Sequence, residues 1–147
     1  MNTISLPLQI LSEQAQVPAY AHSDDAGLDL RSTVDITLNP FERQLIPTGI
    51  AIAIPSGYAG FVQPRSGMAI KHGLSLVNTP GLIDANYRGE IKVPAINLDP
   101  QTPIEIHVGD RIAQLVLLPI ARAGIVETDE LPHSDRGANG FGSSGVH

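Results

Sequence analysis

The sequence predicts an all-β fold, a β-sandwich, jelly roll or barrel with one short helix. Three observations carry this expectation. Apolar residues almost never recur at helical spacing, whereas short alternating or apolar runs are frequent. Twelve prolines and fourteen glycines punctuate the 147 residues at short intervals. Between them the runs have strand length, and many short strands separated by turn signals characterise sandwiches and barrels.

The predicted strands, in order, are Ile4 to Ile10, Val34 to Leu38, Gln44 to Ile54, Tyr58 to Gln63, Leu74 to Asn78, Ile91 to Leu98, Ile104 to Val108, Ile112 to Leu118 and Gly124 to Glu127. Ile50-Ala-Ile-Ala-Ile54 alternates cleanly, which puts isoleucine on one face and alanine on the other. Ser66-Gly-Met-Ala-Ile-Lys-His-Gly73 breaks the pattern: Ser66 is an N-cap candidate and Gly73 a stop, so one short helix is expected there. Gly81 to Glu90, with turn residues at Gly81, Asn86 and Gly89, reads as a β-hairpin. No repeat or interdomain linker is visible. The body is expected over residues 1–133, with a flexible tail over 134–147.

Composition excludes several chemistries. There is no cysteine, hence no disulfide, thiolate nucleophile or Cys-ligated zinc. The five histidines, at 22, 72, 107, 133 and 147, lack metal-ligand spacing, and no phosphate-binding P-loop or nucleophile-elbow motif occurs. The net charge of −6 argues against non-specific binding to nucleic acid. No basic leader precedes Ser5-Leu-Pro-Leu, and the longest apolar run is a strand's worth, so no membrane association and a cytoplasmic location are expected. A small anionic ligand remains compatible. Seven of the nine basic residues are arginine, the residue suited to bidentate phosphate contact. Such a ligand, approaching an acidic protein, would bring its own divalent cation.

The last twelve residues, Arg136-Gly-Ala-Asn-Gly-Phe-Gly-Ser-Ser-Gly-Val-His147, hold four glycines and cannot pack a core. They nevertheless spend one of only three phenylalanines in the chain. Glycine amides, the Ser143 and Ser144 hydroxyls and the Arg136 guanidinium form an anion cradle, and Phe141 would cover a flat apolar group. A base attached to phosphates fits both halves; the alternative is a loose terminus of chance composition.

Four internal segments could join it. Asp84 follows two apolar residues, where a carboxylate at a pocket edge can orient and deprotonate a water; Tyr87 could floor the same pocket. Equally, Asp84 could cap a turn and Tyr87 pack inward. Pro64-Arg-Ser-Gly67 enters the short helix, so that Ser66 and free amides face an anion with Arg65 beside them, or serve only as a cap. In Ala26-Gly-Leu-Asp-Leu-Arg-Ser32, Asp29 could hold a hydrated Mg²⁺ or pair with Arg31. In Gly109-Asp-Arg-Ile-Ala-Gln-Leu-Val116, Gln114 is a polar amide amid apolar residues that binds ligand or satisfies backbone groups; Asp110 and Arg111 read as a turn and an ion pair.

Taken in chain order the five segments closely resemble the five motifs of the trimeric dUTPase family, with Asn78-Thr-Pro-Gly-Leu-Ile-Asp-Ala-Asn-Tyr-Arg-Gly-Glu90 as the third. The resemblance implies a jelly-roll-like subunit of the β-clip type, a homotrimer with active sites at subunit junctions, and Mg²⁺-dependent hydrolysis of dUTP to dUMP and pyrophosphate. By that likeness Asp84 positions the attacking water, and Tyr87 packs on the deoxyribose and leaves no room for a 2′-hydroxyl. Asn78 and main-chain groups around Leu82, Ile83 and Lys92 read the uracil edge. Arg65, Ser66, Gly67 and Gln114 contact phosphates, while Asp29 touches the hydrated magnesium. Arg136, Gly142, Ser143 and Ser144 close on the γ-phosphate and Phe141 stacks on uracil, the tail covering a neighbour's site. Asn139, Ser144 and Asn86 stand where the family more often has glycine, threonine and an acid. The nearest rival, a dCTP deaminase of the same fold, would need an acid/base beside C4 of cytosine; here the third segment matches the dUTPase pattern instead. A nucleotide sensor would not require an intact Asp84.

Overall fold

The computed structural model describes residues 3–146; His147, the last residue of the expected tail, and residues 1 and 2 lie outside it. Ten strands and one helix follow in chain order: β1 Leu8–Ile10, β2 Leu28–Arg31, β3 Ile36–Leu38, β4 Arg43–Ile52, β5 Tyr58–Gln63, α1 Ser66–His72, β6 Leu74–Leu76, β7 Gly81–Ile83, β8 Glu90–Asn97, β9 Ile104–Ile106 and β10 Arg111–Pro119. They build two four-stranded antiparallel sheets, β1-β4-β8-β6 and β2-β10-β5-β7, and a two-stranded ribbon, β3-β9. This is the expected jelly-roll-like all-β arrangement.

Alternation explains the core. Ile46, Ile50, Ile52 and Ile54 from the β4 region, Ile91, Val93 and Ala95 from β8, and Val62, Ile112 and Leu115 from the second sheet are all buried in one cluster between the sheets. Each such side chain contributes about 1.5–3 kcal/mol through removal from water. Asn97, the one buried side-chain amide among the described residues, is fully satisfied: its Nδ2 donates to the carbonyls of Leu38 (3.0 Å) and Thr102 (2.9 Å), and its Oδ1 accepts from Asp99 N (2.8 Å).

The turn after β8 yields a pH prediction. The backbone amides of Thr102 (2.6 Å) and Gln101 (3.0 Å) donate to Asp99 Oδ2. These bonds hold the Asp99 carboxyl below the ordinary carboxylate range, with Thr102 the larger cause. A depressed folded-state pKa stabilises the fold above the unfolded value and loses that contribution as pH falls through the folded one. Melting temperature should therefore drop as pH is taken from about 5 to about 3, and drop less steeply in Asp99→Asn, which cannot ionise. Identical slopes for the two proteins would count against this assignment.

Four sequence expectations are corrected. Gly81 to Glu90 is not a hairpin: β7 pairs only with β5, whereas β8 pairs with β4 and β6, so the segment crosses from one sheet to the other. Gly124 to Glu127 forms no strand, since no ladder partner within the described chain lies beside it and the whole segment is exposed. Of Ile4 to Ile10 only Leu8–Ile10 pairs, against the end of β4. The helix is capped at Arg65 rather than Ser66, without a side-chain cap bond, and runs seven residues to Gly73, whose φ of 73° is the left-handed stop that glycine permits. No helix among the described residues is long and apolar enough to cross a membrane.

Candidate active site

Two recesses hold the expected site residues. The first, about 360 Å³, lies beyond β7, the edge strand of its sheet. Asn78, Leu82, Ile83, Asp84, Tyr87 and Lys92 all line it, so the structure brings together the residues expected at the uracil edge, the sugar and the attacking water. The crossing segment does this. Gly81 and Ile83 are tied to Val62 and Gly60 of β5, and the chain then leaves the sheet at Asp84. The N–H of Tyr87 donates to Asp84 O (3.1 Å), closing a turn that sets the carboxylate at the pocket mouth. That carboxylate makes no hydrogen bond or ion pair among the described residues and is free to accept from a water. At the far wall the Asn78 amide lies over Gly81, where a Cβ would stand 3.3 Å from Nδ2. Lys92 turns its ammonium toward Glu90 Oε2 at 3.7 Å.

The second recess, about 590 Å³, is polar and lies over the other edge of the same sheet. Pairing places Asp29 of β2, Gln114 of β10 and Gln63 of β5 in one cross-strand row. Directly paired side chains share a face, so all three point into the cleft. Arg65, Ser66 and Gly67 enter it from the start of α1. Gln114 is the satisfied amide that the sequence left open: its Nε2 donates to Pro64 O at 3.0 Å and its Oε1 lies over Gly27, where a Cβ would overlap it. It thereby fixes the junction from which Arg65 departs.

Asp29 does not pair with Arg31, whose Nη1 donates instead to Gly109 O at 2.7 Å. Asp29, 12% exposed, is gripped by Arg65 Nε at 3.0 Å and Arg111 Nη1 at 3.2 Å. Arg111 is a cleft residue that sequence reasoning did not find. A β-bulge between Arg111 and Ala113 turns it inward. The signal was the adjacent buried pair Ile112-Ala113, which breaks alternation. His22 and Asp25 also line the cleft unannounced, Asp25 accepting the His22 N–H at 2.8 Å.

Asp25 and Asp29 balance Arg65 and Arg111, two negative groups against two positive, so the cleft is formally neutral. No group of three or more His, Cys, Asp or Glu among the described residues could hold a metal. Asp29 fits only the outer-shell role expected of it, toward a metal ion carried in by its ligand. The tail lines neither recess: everything from Leu118 to Val146 is exposed. There Arg136 Nε donates to Asn139 O (2.7 Å), Gly145 N to Gly142 O (2.8 Å), and Phe141 is bare. Arg136, Phe141, Gly142, Ser143 and Ser144 are thus not brought to the other site residues within this chain.

Comparison with known proteins bears on what these recesses serve. The sequence profile of the dUTPase family matches residues 13–145. A deoxyuridine 5′-triphosphate nucleotidohydrolase of Thermobifida fusca is 54% identical over 145 residues, spanning 99% of this chain and 81% of that protein. One of Bifidobacterium longum is 58% identical over 127 residues, 86% of this chain and 80% of its own. Among solved structures, the dUTPase of Staphylococcus bacteriophage 80alpha with dUPNHPP superposes with a TM-score of 0.91 at 33% identity, covering 98% of this chain and all of that one. A variant dUTPase of phage phi11 of S. aureus, described with a structural Mg(II) ion, gives 0.82 at 30% identity over 88% of this chain. Fold, motif order and matches of this extent converge: the chain belongs to the dUTPase family.

Proposed function

We propose that this protein hydrolyses dUTP to dUMP and pyrophosphate, lowering the dUTP pool and supplying dUMP for thymidylate synthesis. The observation that carries the reading is the unpaired Asp84 carboxylate standing in one pocket with Asn78 and Tyr87. Asn78 and the main chain at Leu82, Ile83 and Lys92 bind the uracil edge, and Tyr87 stacks on the deoxyribose. Asp84 orients a water in line with the α-phosphorus and takes its proton; the bond from that phosphorus to the bridging oxygen breaks and pyrophosphate leaves. Phosphoryl transfer needs alignment and charge neutralisation more than covalent help. Arg65, Ser66, Gly67 and Gln114 align the phosphates, and Arg136, Gly142, Ser143 and Ser144 close over the last of them while Phe141 covers the base.

A neutral cleft cannot by itself offset a triphosphate. Mg²⁺ entering with the nucleotide would supply the missing charge, with Asp29 receiving its hydration shell. The two recesses share no lining residue, and along β5 the adjacent Val62 and Gln63 line one each, so they open on opposite faces of the β2-β10-β5-β7 sheet. That separation supports a site assembled from more than one copy. So does the sheet's outer face, where Phe61 pairs with Val116 and Leu82, the latter 60% exposed, and so do Ile125 and Val126 in the segment after β10, 88% and 84% exposed. A homotrimer, with each tail closing on a neighbour's pocket, would cover this surface. The cytoplasm, where the nucleotide pool lies, is the corresponding location.

The test is a pyrophosphate-release screen of dUTP, dCTP, dTTP and UTP with and without Mg²⁺. Turnover of dUTP alone, dependent on Mg²⁺, is expected. A site matched to uracil's acceptor at position 4 leaves groups unpaired with cytosine, which costs on the order of 1–3 kcal/mol. Ammonia released from dCTP would replace this reading with a deaminase.

A further inference from the structure

The wall of the base pocket is the loop from Asp84 to Glu90, and most of it is exposed. Its hydrogen bonds are almost all internal. Beyond the Asp84–Tyr87 turn, Arg88 Nη1 donates to the carbonyls of Ala85 (2.6 Å) and Tyr87 (3.0 Å), and the Tyr87 hydroxyl donates to Glu90 O (3.0 Å). The Tyr87 ring lies on Gly89: a Cβ there would overlap the hydroxyl and stand 2.6 Å from Cζ. The loop is therefore a self-tied unit that holds Tyr87 by its hydroxyl. That unit is in turn fixed to the body.

Besides the main-chain pair Ala51↔Glu90, one side chain does this. The ladder between β4 and β8 is interrupted between the pairs Pro47↔Lys92 and Ala51↔Glu90. Within the interruption Gly49 adopts φ 70° and is boxed in: a Cβ would meet the Ala15 Cβ at 2.7 Å and Thr33 Cγ2 at 2.9 Å. The Thr48 hydroxyl donates to Ile91 O across the same gap. The Gly49 amide finds its partner in Glu90 Oε1 at 3.0 Å. Glu90 thus replaces a missing ladder bond where the pocket wall leaves the sheet, and the carbonyl of the same residue holds Tyr87.

We propose that Glu90 is a positioning residue for sugar selectivity: its carboxylate clamps the root of the loop to Gly49, and its carbonyl thereby fixes Tyr87 where a 2′-hydroxyl would collide. This rests on the functional reading above. The 3.7 Å approach of Lys92 to the other oxygen is exposed and secondary.

The experiment compares kcat/KM for dUTP and UTP in wild type, Glu90→Gln, Glu90→Ala and Glu90→Asp. Glu90→Ala should lower the dUTP-over-UTP ratio about tenfold, equivalent to about 1.4 kcal/mol, chiefly through a gain on UTP. Glu90→Gln keeps an acceptor oxygen and should stay within about threefold of wild type. Glu90→Asp keeps the charge but falls short of Gly49, so it should follow Glu90→Ala; it also serves where the alanine variant does not fold. In a Tyr87→Phe background, which lacks the hydroxyl link, Glu90→Ala should change the ratio less than about twofold. A wild-type ratio in both shortened variants, or an undiminished effect in the Tyr87→Phe background, would overturn the inference. Wild type inert toward dUTP would instead remove the functional reading itself.

Discussion

Asp84→Asn should bind dUTP and Mg²⁺ about as well as wild type and lose turnover by about 10²–10⁴-fold, the contribution of a well-placed general base. The substitution is nearly isosteric. The side chain is exposed and makes no hydrogen bond or ion pair among the described residues, so no core contact or ion pair is lost. Exposed changes of this kind shift stability by about 0.5 kcal/mol or less. The Asp84–Tyr87 turn uses the main-chain carbonyl and survives the change. Melting temperature and nucleotide affinity therefore serve as internal controls, and the loss falls on kcat. An amide still hydrogen-bonds a water but cannot take its proton, which separates alignment from base catalysis. Turnover within about tenfold of wild type would remove Asp84 as the base and leave water alignment to the rest of the pocket.

The sequence carried the architecture well where local pattern decides it. Alternation located β4, β5, β8 and β10, and glycine after His72 marked the end of α1. It misled where partners decide. Gly81 to Glu90 carries every turn residue of a hairpin, yet β8 finds its neighbours in β4 and β6, because a buried central strand offers more apolar contact than the exposed β7 edge. Gly124 to Glu127 has strand composition but pairs with no strand among the described residues. The site followed the same division. Residues on one short segment, such as Leu82 to Tyr87, were legible because the motif itself is the wall. Arg111 was not, because a bulge two residues long redirected it. Glu90 was not, because its partner, Gly49, is 41 positions away in a ladder gap that no local pattern announces.

Removal of the chain after Ser134 should leave melting temperature and assembly unchanged and lower kcat by about 10³-fold or more, the scale of an arginine supplied to a phosphoryl-transfer site. No described residue of the deleted segment touches the core: among the described residues the last main-chain tie to the body is Ile120 N to Gly57 O at 2.9 Å, fifteen positions before the first residue lost. The tail's bonds are its own, in successive turns from Ser134 to Gly145. These turns shorten the search, but closure still fixes backbone at roughly 1–2 kcal/mol per residue. Contacts of Arg136, Ser143 and Ser144 with the terminal phosphate, and of Phe141 with the base, must offset that. A diphosphate offers too few of them, so a non-hydrolysable dUTP analogue should protect the tail from proteolysis while dUDP leaves it cleavable. Closure would also exclude bulk water from the Asp84 pocket, which strengthens every charge interaction within it. A truncated enzyme with wild-type kcat, or equal protection by the two nucleotides, would show that the glycine-rich end takes no part in the reaction.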